Sequence, residues 1–322
     1  MRGSLRPNFL ETPQRRQKRY EVLGLTEGQS LEWADRFALW NARYVQKPVL
    51  AMGLPTPLLR ALFAFSIRLT NWVPREVQVT KVELAGVPTR KIVPAGAGTA
   101  RLLLLHGGGF VIGGPGAYLP MAAKLALASG ATVWLPDYRL APEHPYPAAP
   151  EDVFACYRAL TAEGPIAVGG DSAGGCLSLG LLHQCAAEGI QAPAALALMS
   201  PATDLRPKAQ KALHDGPSDA ILAKRWARQS VISYIGDADP SDPILSPMAA
   251  PFASGPPTMV QLAEGEALEP QIQAGIEALK AAGAKIDVRR YHGTFHAFQI
   301  VKSPISERAL AEMGAFLKAT LG

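Results

Sequence analysis

Val168-Gly169-Gly170-Asp171-Ser172-Ala173-Gly174-Gly175-Cys176 is the stretch from which the rest of the chain is read. An apolar run, 165–168, enters it and an alanine- and leucine-rich segment, 176–187, leaves it, which predicts a strand, a sharp turn at Ser172 and a helix. Gly170 and Gly174 flank the serine at G-x-S-x-G spacing, because a residue forced into so strained a turn needs neighbours without side chains. The same turn aims the first amide N–H groups of the helix toward whatever the serine attacks. Taken alone, a glycine-rich strand-to-helix turn reads equally well as a phosphate cradle or an ordinary tight turn. The other residues have to supply a base, an acid and a second set of N–H donors.

At 322 residues the chain can bury a large core, as one big domain or as a domain with a smaller attachment. A composition of 48% hydrophobic and 18% charged residues excludes a disordered chain. No uninterrupted apolar stretch reaches the ~20 residues that span a bilayer. Residues 1–20 are polar and basic, without the apolar segment of a secretory signal, so a cytoplasmic protein with no integral membrane segment is expected. The net charge of +5 is spread out. Its densest run, Arg15-Arg16-Gln17-Lys18-Arg19, reads as a solvated helix face rather than a nucleic-acid site. Of the three cysteines, Cys176 and Cys185 fall on one predicted helix, too far apart along its axis to bridge, and apolar packing is the expected role of all three.

Residues 1–72 carry helical signals. The segment 30–45 places Trp33, Phe37, Trp40 and Tyr44 at helical spacings, with Ser30 as N-cap. The segment 58–69 follows Pro55 and Pro57 and leaves only Arg60, Ser66 and Arg68 polar, so the helix must be covered. These helices are read as a cap segment, 1–72, on a main body, 73–322, with a simple N-terminal extension packed elsewhere on the surface as the alternative. From Glu76 the pattern changes to strands 77–79, 82–84 and 87–93, the last two joined at Ala85-Gly86 as an antiparallel hairpin. Strands 102–105, 132–135, 166–168, 194–199, 258–262 and 286–291 then alternate with helices 118–129, 152–160, 176–187, 268–282 and 305–321. Strands apolar on both faces and separated by helices predict an α/β fold with a mostly parallel sheet covered on both sides. The proline-rich stretch 201–257 breaks the rhythm, holds one helical run, 221–235, and is expected to be an insertion near the mouth of the site.

In open parallel sheets ligands bind beyond the carboxyl ends of the strands, and the informative residues all fall at such ends. They are His106-Gly107-Gly108-Gly109-Phe110, Ser172, Glu264-Gly265-Glu266 and His292-Gly293-Thr294-Phe295-His296. The first of these stretches, taken with Gly170-Asp171-Ser172-Ala173-Gly174-Gly175, resembles the hormone-sensitive lipase family of bacterial esterases, family IV within the α/β-hydrolase fold. Further matches are the run from Asp137-Tyr138-Arg139-Leu140-Ala141-Pro142-Glu143 to Ala149, and Ser241-Asp242-Pro243-Ile244-Leu245-Ser246-Pro247. The resemblance runs from about Glu76 to the end of the chain. Two long motifs in the right order are far more specific than either alone.

The resemblance implies that Ser172 attacks an acyl carbonyl to form a covalent acyl-enzyme. A helix N-cap would explain the serine but not its flanking glycines. His296, just past the last strand, matches the family's catalytic histidine and is the expected base. His292 and His144 read as loop and turn histidines, and His106 as a residue that shapes its glycine loop. Where the family carries an aspartate this chain has Ala263-Glu264-Gly265-Glu266-Ala267-Leu268-Glu269-Pro270, and registering Ala267-Leu268 on the family's Pro-Leu puts Glu266 in the acid position. Glu264 and Glu269 are rivals. The oxyanion hole is expected from the N–H groups of Gly108, Gly109 and Ala173, with Gly107, Gly170, Asp171 and Gly174 completing the two motifs. The expected activity is hydrolysis of short-chain acyl esters, with a small-molecule ester as substrate, no metal or organic cofactor, no nucleic acid, and a homodimer at the level of the family. Receptors that resemble the family have lost the catalytic histidine, and the presence of His296 speaks against a purely ligand-binding role. Amides, lactones and carbamates remain alternative substrates for the same residues.

Overall fold

A computed structural model describes residues 31–322. The expected Ser30 cap and the basic run Arg15–Arg19 lie outside the described residues. The chain enters through α1 (Trp33–Asn41), a π-helical turn (Ala42–Gln46) and α2 (Lys47–Ala51). Glu32 caps α1, in a capping box with Asp35. Then comes α3 (Thr56–Thr70), started by the prolines that break the preceding segment.

Two strands, β1 (Val77–Leu84) and β2 (Val87–Pro94), form the expected hairpin, with Ala85 and Gly86 both at positive φ as a two-residue turn requires. Beyond them come β3 (Arg101–Leu105), α4 (Pro115–Ser129), β4 (Thr132–Pro136), α5 (Ala148–Thr161), β5 (Ala167–Asp171) and α6 (Ala173–Glu188). The chain continues through β6 (Leu196–Met199), α7 (Pro207–Asp215), α8 (Lys224–Ile235), β7 (Thr258–Ala263), α9 (Glu269–Ala281), β8 (Ile286–Tyr291) and α10 (Pro304–Leu321).

One eight-stranded sheet runs in the order β1-β2-β4-β3-β5-β6-β7-β8. The pairs β1·β2 and β2·β4 are antiparallel and every later pair is parallel. Successive side chains point to opposite faces of a strand, and both faces are apolar. Leu103 and Leu105 of β3 join one core cluster with α5, α6 and α9, while Leu102 and Leu104 join the other with α4 and α10. The chain leaves β3 toward β4 on one side and then builds β5 on the other, so a crevice opens between the carboxyl ends of β3 and β5.

Three differences from the sequence reading have physical causes. β5 extends through Gly169-Gly170-Asp171, because these residues pair with β3 and β6 and a Cβ on Gly169 would meet the Ala197 carbonyl oxygen at 2.6 Å. Glycines that read as turn are strand because neighbouring backbones close on them. The stretch 201–257 carries a second helix, α7, whose run of Lys208, Gln210 and Lys211 hid its periodicity. Finally, α3 turns Leu59, Phe63 and Ile67 inward but leaves Leu58, Leu62, Phe65 and Leu69 exposed, so among the described residues the expected cover lies on one side only.

Candidate active site

β5 ends at Asp171 and α6 begins at Ala173, so Ser172 alone makes the turn. Its φ of 50° lies in the left-handed region, which costs a residue with a side chain of order 1–3 kcal/mol. The Ser172 N–H donates to the Met199 carbonyl at 2.9 Å, and its own carbonyl accepts from Cys176 and Ala202. A Cβ on Gly174 would run into the Leu105 carbonyl, and one on Gly170 would stand 2.5 Å from the Gly174 backbone. The flanking glycines are therefore steric requirements of the packed turn.

Ser172 Oγ lies 2.8 Å from His296 Nε2, across 124 residues of sequence. His296 Nδ1 lies 3.2 Å from Glu266 Oε1. The His296 and Glu266 side chains are both buried, 6% and 0% exposed. Because Nδ1 faces a carboxylate it carries the ring proton, leaving Nε2 free to accept from the serine hydroxyl. Burial pulls the pKa of His296 down. The hydrogen bond and charge of Glu266, with the charges of Asp219 and Asp171, outweigh it and hold the pKa above the ordinary histidine value. Glu266 Oε2 accepts from Ser200 Oγ at 2.6 Å and from the Ala263 N–H at 2.9 Å, so both carboxylate oxygens are occupied. A hydroxyl, an imidazole and a carboxylate joined in this order can take a proton off the serine.

The rivals to Glu266 are engaged elsewhere. Glu264 Oε2 lies 2.7 Å from His292 Nδ1 on the surface, and Glu269 Oε2 accepts from the Gly265 N–H at 2.7 Å. His144 is exposed in its turn. His106 lies fully buried behind the glycine loop, its Nδ1 2.8 Å from the Gly107 carbonyl and its ring stacked on Tyr138 with centroids 4.2 Å apart. Burial, only partly offset by that hydrogen bond, pulls its pKa down to about 4, so the ring is neutral, and it is His296 that meets the Ser172 hydroxyl.

The loop after β3 carries Gly108, Gly109 and Phe110 at φ of 110°, 60° and 65°. A Cβ on Gly107 would strike the Asp171 carboxylate, and one on Gly108 the Ile112 carbonyl, so glycine is dictated by close approach at both positions. Asp171 holds the loop: its Oδ1 accepts from the Gly107 N–H at 2.8 Å and its Oδ2 from Tyr118 Oη at 2.9 Å. Burial raises its pKa to about 6 against the opposing pull of Tyr118, His296 and the Gly107 amide. Among the described residues the amides of Gly108, Gly109 and Ala173 donate to no protein acceptor.

Two clefts meet at Ser172. One is lined by Leu50, Phe63, Gly108, Ile221, His296 and Ile300. The other is lined by Ala173, Leu205, Leu213, Ala227, Val231 and Leu268. Gly109, Leu222 and Trp226 border both. Residues of 201–257 thus wall the site, as do two of the N-terminal helices.

Sequence reading missed several residues here. Ser200 follows β6 at the same sheet edge and also accepts from the Ala297 N–H at 3.2 Å; the strand-end rule applied to 194–199 would have found it. Asp219, buried, accepts from the Ala267 N–H at 3.3 Å and from Ile221 and Leu222, and nothing local in its sequence marks it. Tyr118 and Tyr138 are likewise invisible as partners of Asp171 and His106 without the fold.

A family model described as the α/β-hydrolase fold matches residues 102–300, from β3 to just past His296. An esterase of Acinetobacter venetianus is 31% identical over 247 residues, covering 74% of this chain and 82% of that protein. An acetyl-hydrolase of Streptomyces hygroscopicus is 30% identical over 270 residues, 77% of this chain and 90% of that protein. Among solved structures, an esterase from the bacterial hormone-sensitive lipase family superposes with a TM-score of 0.81 at 30% identity, covering 91% of this chain and all of that one. No helix among the described residues is long and apolar enough to cross a membrane. The matched span carries the fold, the turn at Ser172 and the strand-end residues together, and the chain accordingly belongs to the bacterial hormone-sensitive lipase family of α/β-hydrolases and is a carboxylic ester hydrolase.

Proposed function

We propose that the protein hydrolyses short-chain acyl esters through an acyl-enzyme on Ser172, with His296 as general base and acid and Glu266 as the group that orients it. The observation that carries this reading is the continuous series from Ser172 Oγ through His296 to Glu266 Oε1. Ser172 Oγ adds to the ester carbonyl while its proton passes to His296 Nε2. Glu266 holds the Nδ1–H and stabilises the resulting imidazolium. The carbonyl oxygen becomes an oxyanion facing the free amides of Gly108, Gly109 and Ala173, each such donor being worth about 10²–10³ in kcat. The intermediate collapses, the carbon–oxygen bond to the alcohol breaks, and His296 returns its proton to the departing oxygen. Water then repeats the sequence on the acyl-enzyme, releasing the acid and restoring Ser172.

The proton return also sorts the two clefts. The leaving oxygen must lie within reach of His296 Nε2, so the cleft lined by His296, Leu50 and Phe63 takes the alcohol. The other cleft contains no part of His296 and takes the acyl chain, against Leu205, Leu213 and Leu268. The described part of the cap segment, 31–72, then covers the alcohol side through Leu50 and Phe63, and 201–257 is the insertion that closes the acyl side. The acetyl-hydrolase relative supports a short acyl group. A cytoplasmic location and a homodimeric state are proposed on the same footing, to be tested by cell fractionation and light scattering. The mechanism is tested by replacing Ser172 with Ala: turnover of p-nitrophenyl acetate and butyrate should vanish with the fold retained, and undiminished turnover refutes it.

A further inference from the structure

The loop that presents Gly108 and Gly109 is held at two places. Asp171 fixes its entrance through the Gly107 amide. The exit is held from a different part of the molecule. Arg60, on α3, donates from Nε to the Val111 carbonyl at 2.7 Å and from Nη2 to the Ala141 carbonyl at 2.9 Å. Its guanidinium also forms a two-pronged pair with Glu143, Nη1–Oε1 at 3.0 Å and Nη2–Oε2 at 2.7 Å. Ala141 in turn donates its N–H to the Phe110 carbonyl at 3.0 Å. One planar side chain therefore grips the loop directly at Val111 and indirectly at Phe110.

Such a grip has a purpose at this position. Three successive residues, Gly108 to Phe110, sit at positive φ, and Phe110 carries a side chain there at a cost of order 1–3 kcal/mol. A segment in that conformation persists only where its surroundings over-determine it. The loop's own bonds, from the Val111 and Ile112 amides to the Gly108 carbonyl, close it locally but do not fix it relative to Ser172. Asp171, next to Ser172 in the chain, supplies that reference at one end, and at the other Arg60 ties the loop to Ala141 and Glu143 on the segment after β4. Arginine suits the task because its rigid fork meets two carbonyls and a carboxylate at once, which the single ammonium of lysine cannot do.

We propose that Arg60 is a positioning residue for the oxyanion hole, acting from the N-terminal helix through Val111 and Ala141. The inference rests on the reading of Gly108 and Gly109 as oxyanion donors. Arg60 stabilises the transition state without touching substrate, and α3 is part of the catalytic apparatus as well as a wall of the alcohol cleft.

The test compares the full-length protein with Arg60→Lys, Arg60→Met and Glu143→Gln, active sites being titrated with a fluorophosphonate. kcat and KM are measured on p-nitrophenyl acetate, with inhibition by a trifluoromethyl ketone, which adds to serine as an oxyanion, and by the matching secondary alcohol, which does not. Arg60→Met should lower kcat per titrated site about 10- to 100-fold, short of or equal to the loss of one oxyanion donor, with KM within about twofold. Affinity for the ketone should fall in proportion while that for the alcohol holds. Arg60→Lys should fall between, and Glu143→Gln, which leaves both backbone contacts, should stay within about threefold of wild type. If Arg60→Met unfolds, Arg60→Lys decides by the same ketone-to-alcohol comparison. Wild-type kcat per titrated site, or equal losses for ketone and alcohol, overturns the proposal. The wild-type enzyme separates the two levels: if it binds the ketone no more tightly than the alcohol, the oxyanion assignment itself fails, whereas a wild-type ketone preference that Arg60→Met keeps in full sinks only the role of Arg60.

Discussion

Replacing Glu266 with Gln is the sharpest probe of the proposed site, because the structure specifies which way the new amide turns. Glu266 Oε2 accepts from the Ala263 backbone N–H at 2.9 Å and from Ser200 Oγ at 2.6 Å. A backbone donor cannot rotate away, so the carbonyl oxygen of the introduced amide must take the Oε2 position. The NH₂ group is then left at the Oε1 position, 3.2 Å from His296 Nδ1. Two donors cannot face each other, and the imidazole is driven to the tautomer with Nδ1 bare and Nε2 protonated. In that form it cannot take the proton of Ser172. A wrong tautomer with intact geometry lowers kcat by about 10⁴, or roughly 5.4 kcal/mol at 1.36 kcal/mol per decade. The assay is kcat/KM on p-nitrophenyl butyrate, normalised to folded protein by near-UV circular dichroism. Glu264→Gln and Glu269→Gln, engaged with His292 and Gly265, should stay within about threefold of wild type. A Glu266→Gln enzyme that keeps more than a tenth of the activity, or that is the mildest of the three, refutes the argument.

The pH profile offers a second check. The proposed mechanism needs neutral His296, whose pKa is raised chiefly by Glu266 against the downward pull of burial, so the acidic limb of kcat/KM should titrate above the ordinary histidine value of 6.5. Removing the carboxylate in Glu266→Ala leaves burial dominant and should move that limb to lower pH; an unmoved limb contradicts the assignment. Leu213→Ala enlarges the proposed acyl cleft, and the optimum of a p-nitrophenyl ester series from acetate to octanoate should shift to longer chains, while Phe63→Ala should change selectivity among alcohols instead. Ser200→Ala leaves the Ala297 amide without its acceptor and Glu266 with one donor fewer, and should lower stability by about 1–3 kcal/mol in urea unfolding and reduce kcat without abolishing it.

The parallel sheet was legible because burial on both strand faces writes a continuous apolar run, as in Leu102-Leu103-Leu104-Leu105, and the helices between strands follow from the need to cover it. The strand ends narrowed the candidates to Ser172, Glu264 or Glu266, and His292 or His296, and the resemblance to the family's motifs, rather than the pattern itself, picked Glu266 and His296 among them. The residues that hold them were not legible. Ser200 and Asp219 make their contacts from positions 66 and 48 residues away from Glu266 and Ala267, and a buried polar partner at such distance leaves no periodicity. Glycine misled in one place: Gly169 and Gly170 look like turn and are strand, since what selects glycine there is a neighbouring backbone. The apolar circumference of α3 predicted cover on all sides, yet helix amphipathicity shows only that a face is apolar, and one stripe of this helix faces outward.

Asp171 has a consequence for how the site tolerates thermal motion. Its backbone leads directly into Ser172 while its carboxylate holds the Gly107 amide, so the proposed nucleophile and the proposed oxyanion loop are surveyed from one benchmark. When the carboxyl end of β5 moves, both move with it, and the distance between the attacking oxygen and the amides that receive the charge is conserved. His296 is tied to β5 less directly: it arrives on the segment after β8, is steadied by Glu266 and by the Ser200–Ala297 bond, and meets the end of β5 through Met199, beside Ser200, which accepts from the Ser172 N–H. Positional error therefore collects at the proton-transfer step, and as the protein warms toward unfolding, transfer between Ser172 and His296 should degrade before the geometry of the oxyanion does.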